Sequence, residues 1–222
     1  MSNPLKRKKK SEKILKKMGI VVNENLSCIE SKEDVKLKDF DTICKRAIAS
    51  LISIQLACDI NEKGDYEEAK AKYWADLERF GVENELNSLE KRLFDGTYTE
   101  QDVIDGVWNY ECYWSLLYAL GYIKLGKIID PSKICNCKEA CFCVYYHKDY
   151  ASFRFIARPL KIDKILDLVD LYYRYDWACN EKKINPNVSI GNINPEVVME
   201  RRKGLEWLIS EEKDWNEVSL NA

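Results

Sequence analysis

Apolar residues recur at helical spacing along almost the whole chain. Ser11 to Met18 forms a short amphipathic stretch that Gly19 is placed to stop, and Ile20 to Asn23 reads as extended. Asp41 is positioned to cap a long helix in which Ile43, Ala47, Ile48, Leu51, Ile52 and Gln55 share a face. Asp65 opens a further helix with Tyr73, Trp74, Leu77 and Phe80 on its apolar side and Gly81 at its end. Ser88 begins a shorter one that ends at Gly96.

The next helix differs in character. Thr99 and Asp102 have capping-box spacing, although Asp is a weaker partner than Glu or Gln there, and the helix they open runs to about Gly121. From Val107 onward it is apolar on nearly every side, through Trp108, Tyr110, Cys112, Tyr113, Trp114, Leu116, Leu117 and Leu120. A helix hydrophobic all round belongs at the centre of a core. Pro131 to Pro159 is the least regular part, dense in Cys and Tyr, and is expected to include short extended pieces. Ile162, Ile165, Leu166, Val169, Leu171 to Tyr173 and Trp177 then sustain a helix to about residue 182. A loop follows from Asn185 to Asn192, and Asn194, Pro195 and Glu196 supply the cap, first-position proline and first-turn acid of a last long helix ending near Ile209.

This pattern predicts an all-α protein, with residues 1–18 as a basic N-terminal arm or helix and residues 19–222 as a single helical domain packed around a buried central helix, interrupted by one irregular Cys/Tyr-rich segment. At 222 residues, with 46% hydrophobic and 32% charged residues, the chain is long enough for one substantial core and far from the composition of disorder. There is no internal repeat and no Gly/Ser- or Pro-rich linker to mark a second domain.

Charge changes the picture slightly. The formal net charge is only -2, but residues 1 to 17 hold eight bases against Glu12, so they carry +7 and the other 205 residues carry -9. A basic arm can touch nucleic acid or an anionic membrane, but an acidic body repels phosphate and no recognition motif follows the arm; nucleic acid is therefore disfavoured as a partner. The apolar uncharged stretches Ala47 to Cys58 and Cys112 to Ile123 have twelve residues each, short of the roughly 18 to 20 that span a bilayer. No membrane association is expected. With no apolar run after the basic start, nine cysteines read as reduced thiols in the cytoplasm.

Three blocks carry a family resemblance. They are Trp108-Asn109-Tyr110-Glu111 leading to Leu116 to Gly121, then Asp170 to Ala178, then Glu200-Arg201-Arg202 with Leu205, Trp207-Leu208 and Asp214-Trp215. Together they resemble the bacterial domain of unknown function 4272 family, from Ser11 to about Val218, with Arg46 and the run Gly19 to Leu26 similar to its N-terminal pattern. The resemblance implies membership and no particular activity. The family pattern has a histidine where this chain has Asp176, so no imidazole role carries over to that position. The chain also ends Ser219-Leu220-Asn221-Ala222, without the Thr and Asp of the usual tail.

Two constellations could carry chemistry. Glu111 is the one charged residue in a stretch that reads as buried, so it must be paired, hydrogen-bonded or protonated. Arg174 and Arg201 are its natural partners, because the chain has 26 Lys against 9 Arg and arginine forms the planar, bidentate pairs that buried carboxylates favour. Asp170, Arg174 and Trp177 share one helix face; Glu200, Gly204 and Trp207 share another, and Gly204 lets a neighbour approach closely. The candidate cluster is thus Glu111, Arg174, Asp176, Trp177, Glu200 and Arg201. It reads first as a set of charges bolting the central helix to the two C-terminal helices, second as a polar pocket for a small anionic or amide ligand, and third as paired carboxylates for acid and base work.

The second constellation is Cys135, Cys137, Cys141 and Cys143, with His147, the only histidine, four residues on. Thiolates and imidazole can close a tetrahedral zinc site, but C-x-C pairs three residues apart are cramped beside the familiar C-x2-C spacing, so free thiols are the plainer alternative. No Ser-His-Asp triad, phosphate-binding glycine loop, H-E-x-x-H or G-x-G-x-x-G occurs. Six Trp and thirteen Tyr suit both a core and an interface. The leading expectation is a cytoplasmic, non-catalytic binding or protein-interaction domain with an unknown protein partner or small ligand. The alternative is an enzyme or small-ligand-binding protein using the Glu/Arg/Asp cluster.

Overall fold

The computed structural model describes residues 3–220. Within them the chain forms nine α-helices: α1 (Pro4–Lys17), α2 (Phe40–Asn61), α3 (Tyr66–Phe80), α4 (Ser88–Asp95), α5 (Glu100–Ala119), α6 (Cys137–Tyr145), α7 (Tyr150–Ile156), α8 (Ile162–Ile184) and α9 (Pro195–Trp207). The fold is all-α. The extended pairing among the described residues is a single antiparallel bridge between Ile20 and Ile190.

Helix α5 lies at the centre, packed chiefly between α2 and α9. Every residue of α5 from Asn109 to Ala119 is buried, which is what an all-round apolar sequence requires. Its start is fixed by Thr99 and Asp102, which form the reciprocal capping box the spacing predicts. Helix α8 closes the bundle against α9, and α1 lies on the outer side of α8. Asp65 and Asn194 cap α3 and α9 as expected, and Gly19 and Gly81 follow their helices in the left-handed region at φ +69° and +65°.

Three boundaries differ from the sequence reading, each for a local reason. Helix α1 begins at Pro4 under an Asn3 cap, because Arg7, Ser11 and Leu15 form a buried stripe at four-residue spacing while the lysines other than Lys8 face outward. Arg7 is therefore inside, donating to the carbonyl of Glu30 at 3.1 Å. The cap of α2 is Asp39, whose carboxylate accepts from Thr42 N at 2.9 Å, whereas Asp41 sits in the first turn and pairs with Arg154 and Tyr150. Between Pro131 and Pro159 the expected extended pieces are replaced by α6 and α7, each opened by an Asx cap, Asn136 and Asp149.

Candidate functional site

Helices α5 and α9 cross in close backbone contact. A Cβ on Gly204 would lie 2.6 Å from the Cys112 carbonyl oxygen and 3.0 Å from its Cα, so the glycine is what allows the two backbones to meet. Side chains of α5 then bond to the α9 backbone: Ser115 Oγ donates to Arg201 O at 2.9 Å and Cys112 Sγ donates to Glu200 O at 3.1 Å.

This crossing places Glu111 opposite Arg201. Both are buried, and Arg201 Nε donates to Glu111 Oε2 at 2.7 Å. The other Glu111 oxygen accepts the backbone N–H of Cys135 at 2.6 Å. Arg201 spends its remaining donors on the carbonyls of Asp130 and Lys133, at 3.3 and 3.0 Å, and on the Tyr172 hydroxyl at 3.2 Å. Burial pushes the Tyr172 phenol up to about 12, so it stays a neutral hydrogen-bonding group. One ion pair therefore ties together α5, α8, α9 and the loop before α6.

The rest of the predicted cluster is brought into the same core but not into one site. Arg174 does not meet Glu111; it folds back on Asp170 one turn earlier, at 2.9 and 3.0 Å, and donates to Ser27 O at 3.0 Å. Helical spacing of four residues offered Arg174 a carboxylate of its own, leaving Glu111 to Arg201 alone. Asp176 pairs with buried Arg202 and also reaches Asn180 at 3.4 Å. Glu200 pairs with Lys203 at 2.7 Å and accepts from Cys112 Sγ at 3.0 Å. Trp177 is half-buried against the core. A fifth buried pair, Arg46 with Glu90, joins α2 to α4, with the Arg46 guanidinium 5.2 Å from the centre of the Trp215 ring. Sequence reading missed the Arg202 and Glu90 partners; the only signal for the second was Arg46 standing beside an uncharged run.

The cysteines divide differently. Among the described residues, no group of three or more His, Cys, Asp or Glu is arranged to hold a metal ion. The structure does not bring Cys135, Cys137, Cys141, Cys143 and His147 into one such group. The reason is α6 itself, which puts Cys137 and Cys141 on one face, turns Cys143 to another and leaves Cys135 before the helix. His147 instead meets the Tyr122 hydroxyl at 3.2 Å among the rings of Tyr122, Tyr146 and Phe153, and burial lowers its pKa. Burial likewise pushes the Cys143 thiol up to about 11 and the Cys58 thiol up to about 12.

With this geometry in place, the family profile described as Domain of unknown function (DUF4272) matches residues 7–218. The chain belongs to this family. The three blocks that carried the resemblance hold the ion pairs Glu111–Arg201 and Asp176–Arg202, which join α5, α8 and α9. No curated protein matches, and no solved structure matches.

The larger open spaces lie away from the Glu111–Arg201 pair. A cleft of about 590 Å³ runs between α2, the start of α4 and the chain after α9, lined among others by Lys38, Arg46, Lys91, Trp207, Lys213 and Asp214. Lys38 crosses it, donating to Ser210 O and Glu212 O at 2.9 and 2.8 Å with its ammonium 4.8 Å from the Trp207 ring centre. Asp214 accepts from Ser88 Oγ at 2.6 Å and Ser88 N at 3.1 Å. A smaller groove of about 140 Å³ runs along α5 past Val107, Trp108, Tyr110, Glu111, Ile134 and Cys137. Asp176 borders a separate cavity of about 260 Å³ with Cys179 and Lys183.

Proposed function

We propose that this protein is a non-catalytic binding domain of the bacterial cytoplasm and that it receives a protein partner at the cleft between α2, α4 and the chain after α9. The observation that carries the reading is the consumption of the signature charges: Glu111, Asp170, Arg174, Arg201 and Arg202 are buried and each is engaged by another side chain. Groups so engaged hold helices together and are not presented to a substrate. The cleft, by contrast, has Leu86 and Trp207 beneath a rim of both signs, with Lys91 and Lys213 beside Glu85 and Glu217. An apolar floor inside a mixed polar rim is the usual composition of a protein contact. Among the described residues no helix is long and apolar enough to cross a membrane.

The test is differential capture from the native host. The unchanged protein is compared with a Lys91→Glu, Lys213→Glu double variant and with an Ile184→Glu control, Ile184 being 81% exposed and outside the cleft. A protein retained by the first and third and lost from the second supports the reading. Equal retention by all three contradicts it.

A further inference from the structure

Away from the cleft, the outward faces of α3 and α1 are two further surfaces of opposite charge. We propose that the groove along the outer face of α3 receives helix α1 of a second copy of this chain, so that the protein associates head to tail.

The groove is built on a stripe. Glu67, Ala71, Trp74 and Glu78 follow at spacings of four, three and four residues, which keeps them on one side of α3, while Ala69, Tyr73, Leu77 and Phe80 hold the other side in the core. With Phe94 and Asp95 from the end of α4, the stripe lines a space of about 510 Å³. The Trp74 indole is 38% exposed, lies 5.7 Å from the Phe94 ring and donates its N–H to Glu78 Oε1 at 2.9 Å. None of Glu67, Glu78 and Asp95 forms an ion pair among the described residues. Lys70 is the basic residue on this rim, and its ammonium lies 5.7 Å from the centre of the Tyr66 ring.

Helix α1 offers the converse. Arg7, Ser11 and Leu15 face the core, and at about 100° per residue Leu5, Lys6, Lys9, Lys13 and Lys17 fall within about 120° of arc on the opposite side. Leu5 is 51% exposed, an apolar side chain at the end of a lysine face. These four lysines form no ion pair among the described residues, whereas Lys10 and Lys16 are engaged by Asp167 and Glu24. Lys6 and Lys17 are separated by the same eleven residues of helix as Glu67 and Glu78, a rise of about 16 Å. Lysine stems pack on apolar surface while their ammonium groups are attracted to an indole face.

The wider charge distribution agrees. Residues 1–17 carry +7, whereas residues 62–105, which contain α3 and α4, hold thirteen acids against six bases. Helix α1 packs on α8 and α3 packs on α2, with α8, α9, α5 and α2 following one another in packing order between them. The two surfaces are therefore different patches, and one copy can give α1 to one neighbour while taking it from another. A few exposed ion pairs around a small apolar contact make the association weak and dependent on salt.

Sedimentation velocity of the full chain at rising concentration tests the proposal. At an ionic strength of about 0.01 M, where screening acts beyond about 30 Å, the average mass should grow with concentration; at about 1 M, where that length is about 3 Å, association should weaken about tenfold. Two variants separate the surfaces. Glu78→Lys with Asp95→Lys reverses the groove at the C-terminal ends of α3 and α4, where a cation suits the helix. Leu5→Gln with Lys6→Gln and Lys9→Gln neutralises the outward face of α1. Each should fold and stay monomeric alone. Mixed in equal amounts they should form dimers and nothing larger, because the intact α1 of the first meets the intact groove of the second and no further matching pair remains. Trp74→Ala replaces the groove variant if that one does not fold, with the same expectation. An unchanged protein that stays monomeric at low salt, association that either variant retains alone, or a mixture that remains monomeric overturns the proposal, whatever basic segment of another protein then fills the groove.

Discussion

Replacing Gly204 by alanine tests the closest helix-to-helix approach made at a glycine. In an exposed helix the change would be favourable by up to about 1 kcal/mol, because glycine loses more backbone freedom on folding than alanine. Here the new methyl would meet the Cys112 carbonyl oxygen at 2.6 Å and the Cys112 Cα at 3.0 Å, and both atoms are backbone. Neither can rotate away, so α5 and α9 must separate by roughly 0.8 Å to restore ordinary contact with the carbonyl oxygen. Such a shift lengthens the bonds from Ser115 to Arg201 O and from Cys112 to Glu200 O, now 2.9 and 3.1 Å. Overpacking of this kind costs about 1 to 3 kcal/mol, which in a domain of this size is a fall in melting temperature of about 2 to 12 °C. Gly126→Ala is the control, since nothing lies within 4 Å of a Cβ there. Thermal unfolding of the three proteins reads the result directly. A Gly204→Ala protein as stable as the unchanged one would refute the close crossing.

Other expectations follow from the caps and from acid titration. Asp39→Ala removes the α2 cap and should cost about 1 kcal/mol in chemical denaturation; a loss confined to Asp41→Ala would return the cap to Asp41. The Arg92 guanidinium, with help from Thr99, holds the Asp102 carboxyl below its ordinary value of 3.8. Its contribution is therefore present above that value and is lost as pH falls through the lower folded-state value. Asp102→Asn should accordingly be less stable than the unchanged protein at pH 7, with the gap shrinking below about pH 4; a gap constant down to pH 2 would contradict the assignment.

Much of the fold was legible because periodicity and caps agree. The α5 sequence is apolar all round and carries its own capping box, and both features survive in the structure. Asn194 and Pro195 likewise mark the start of α9 without ambiguity. The failures are local. Asp39 and Asp41 are both competent caps, and the choice depends on Arg154 and Tyr150 arriving from a distant helix to occupy Asp41. The Cys/Tyr-rich segment looks irregular because its helices have only nine and seven residues, too short for a clear period.

The candidate site was legible in membership but not in pairing. A buried Glu111 demanded an arginine, and Arg201 supplies it. Which arginine could not be read from spacing, because Arg174 has Asp170 on its own helix and the Glu111 pair joins residues 90 apart in sequence. The 590 Å³ cleft was not legible either, since it is made by three separated segments that meet only after folding. Its partial signal was Asp214-Trp215, which carried the family resemblance; Trp215 is buried behind the cleft against Arg46.

The central claim is that the signature charges hold the helices together, and a double-mutant cycle on Glu111 and Arg201 tests it most directly. Arg201→Met should cost about 3 to 5 kcal/mol, because it leaves a buried carboxylate without its counter-ion. Glu111→Gln keeps an acceptor for Cys135 N, and the double variant should be more stable than the sum of the single losses by about 1 to 3 kcal/mol. Additivity within about 0.5 kcal/mol, with both single variants close to the stability of the unchanged protein, would contradict the account.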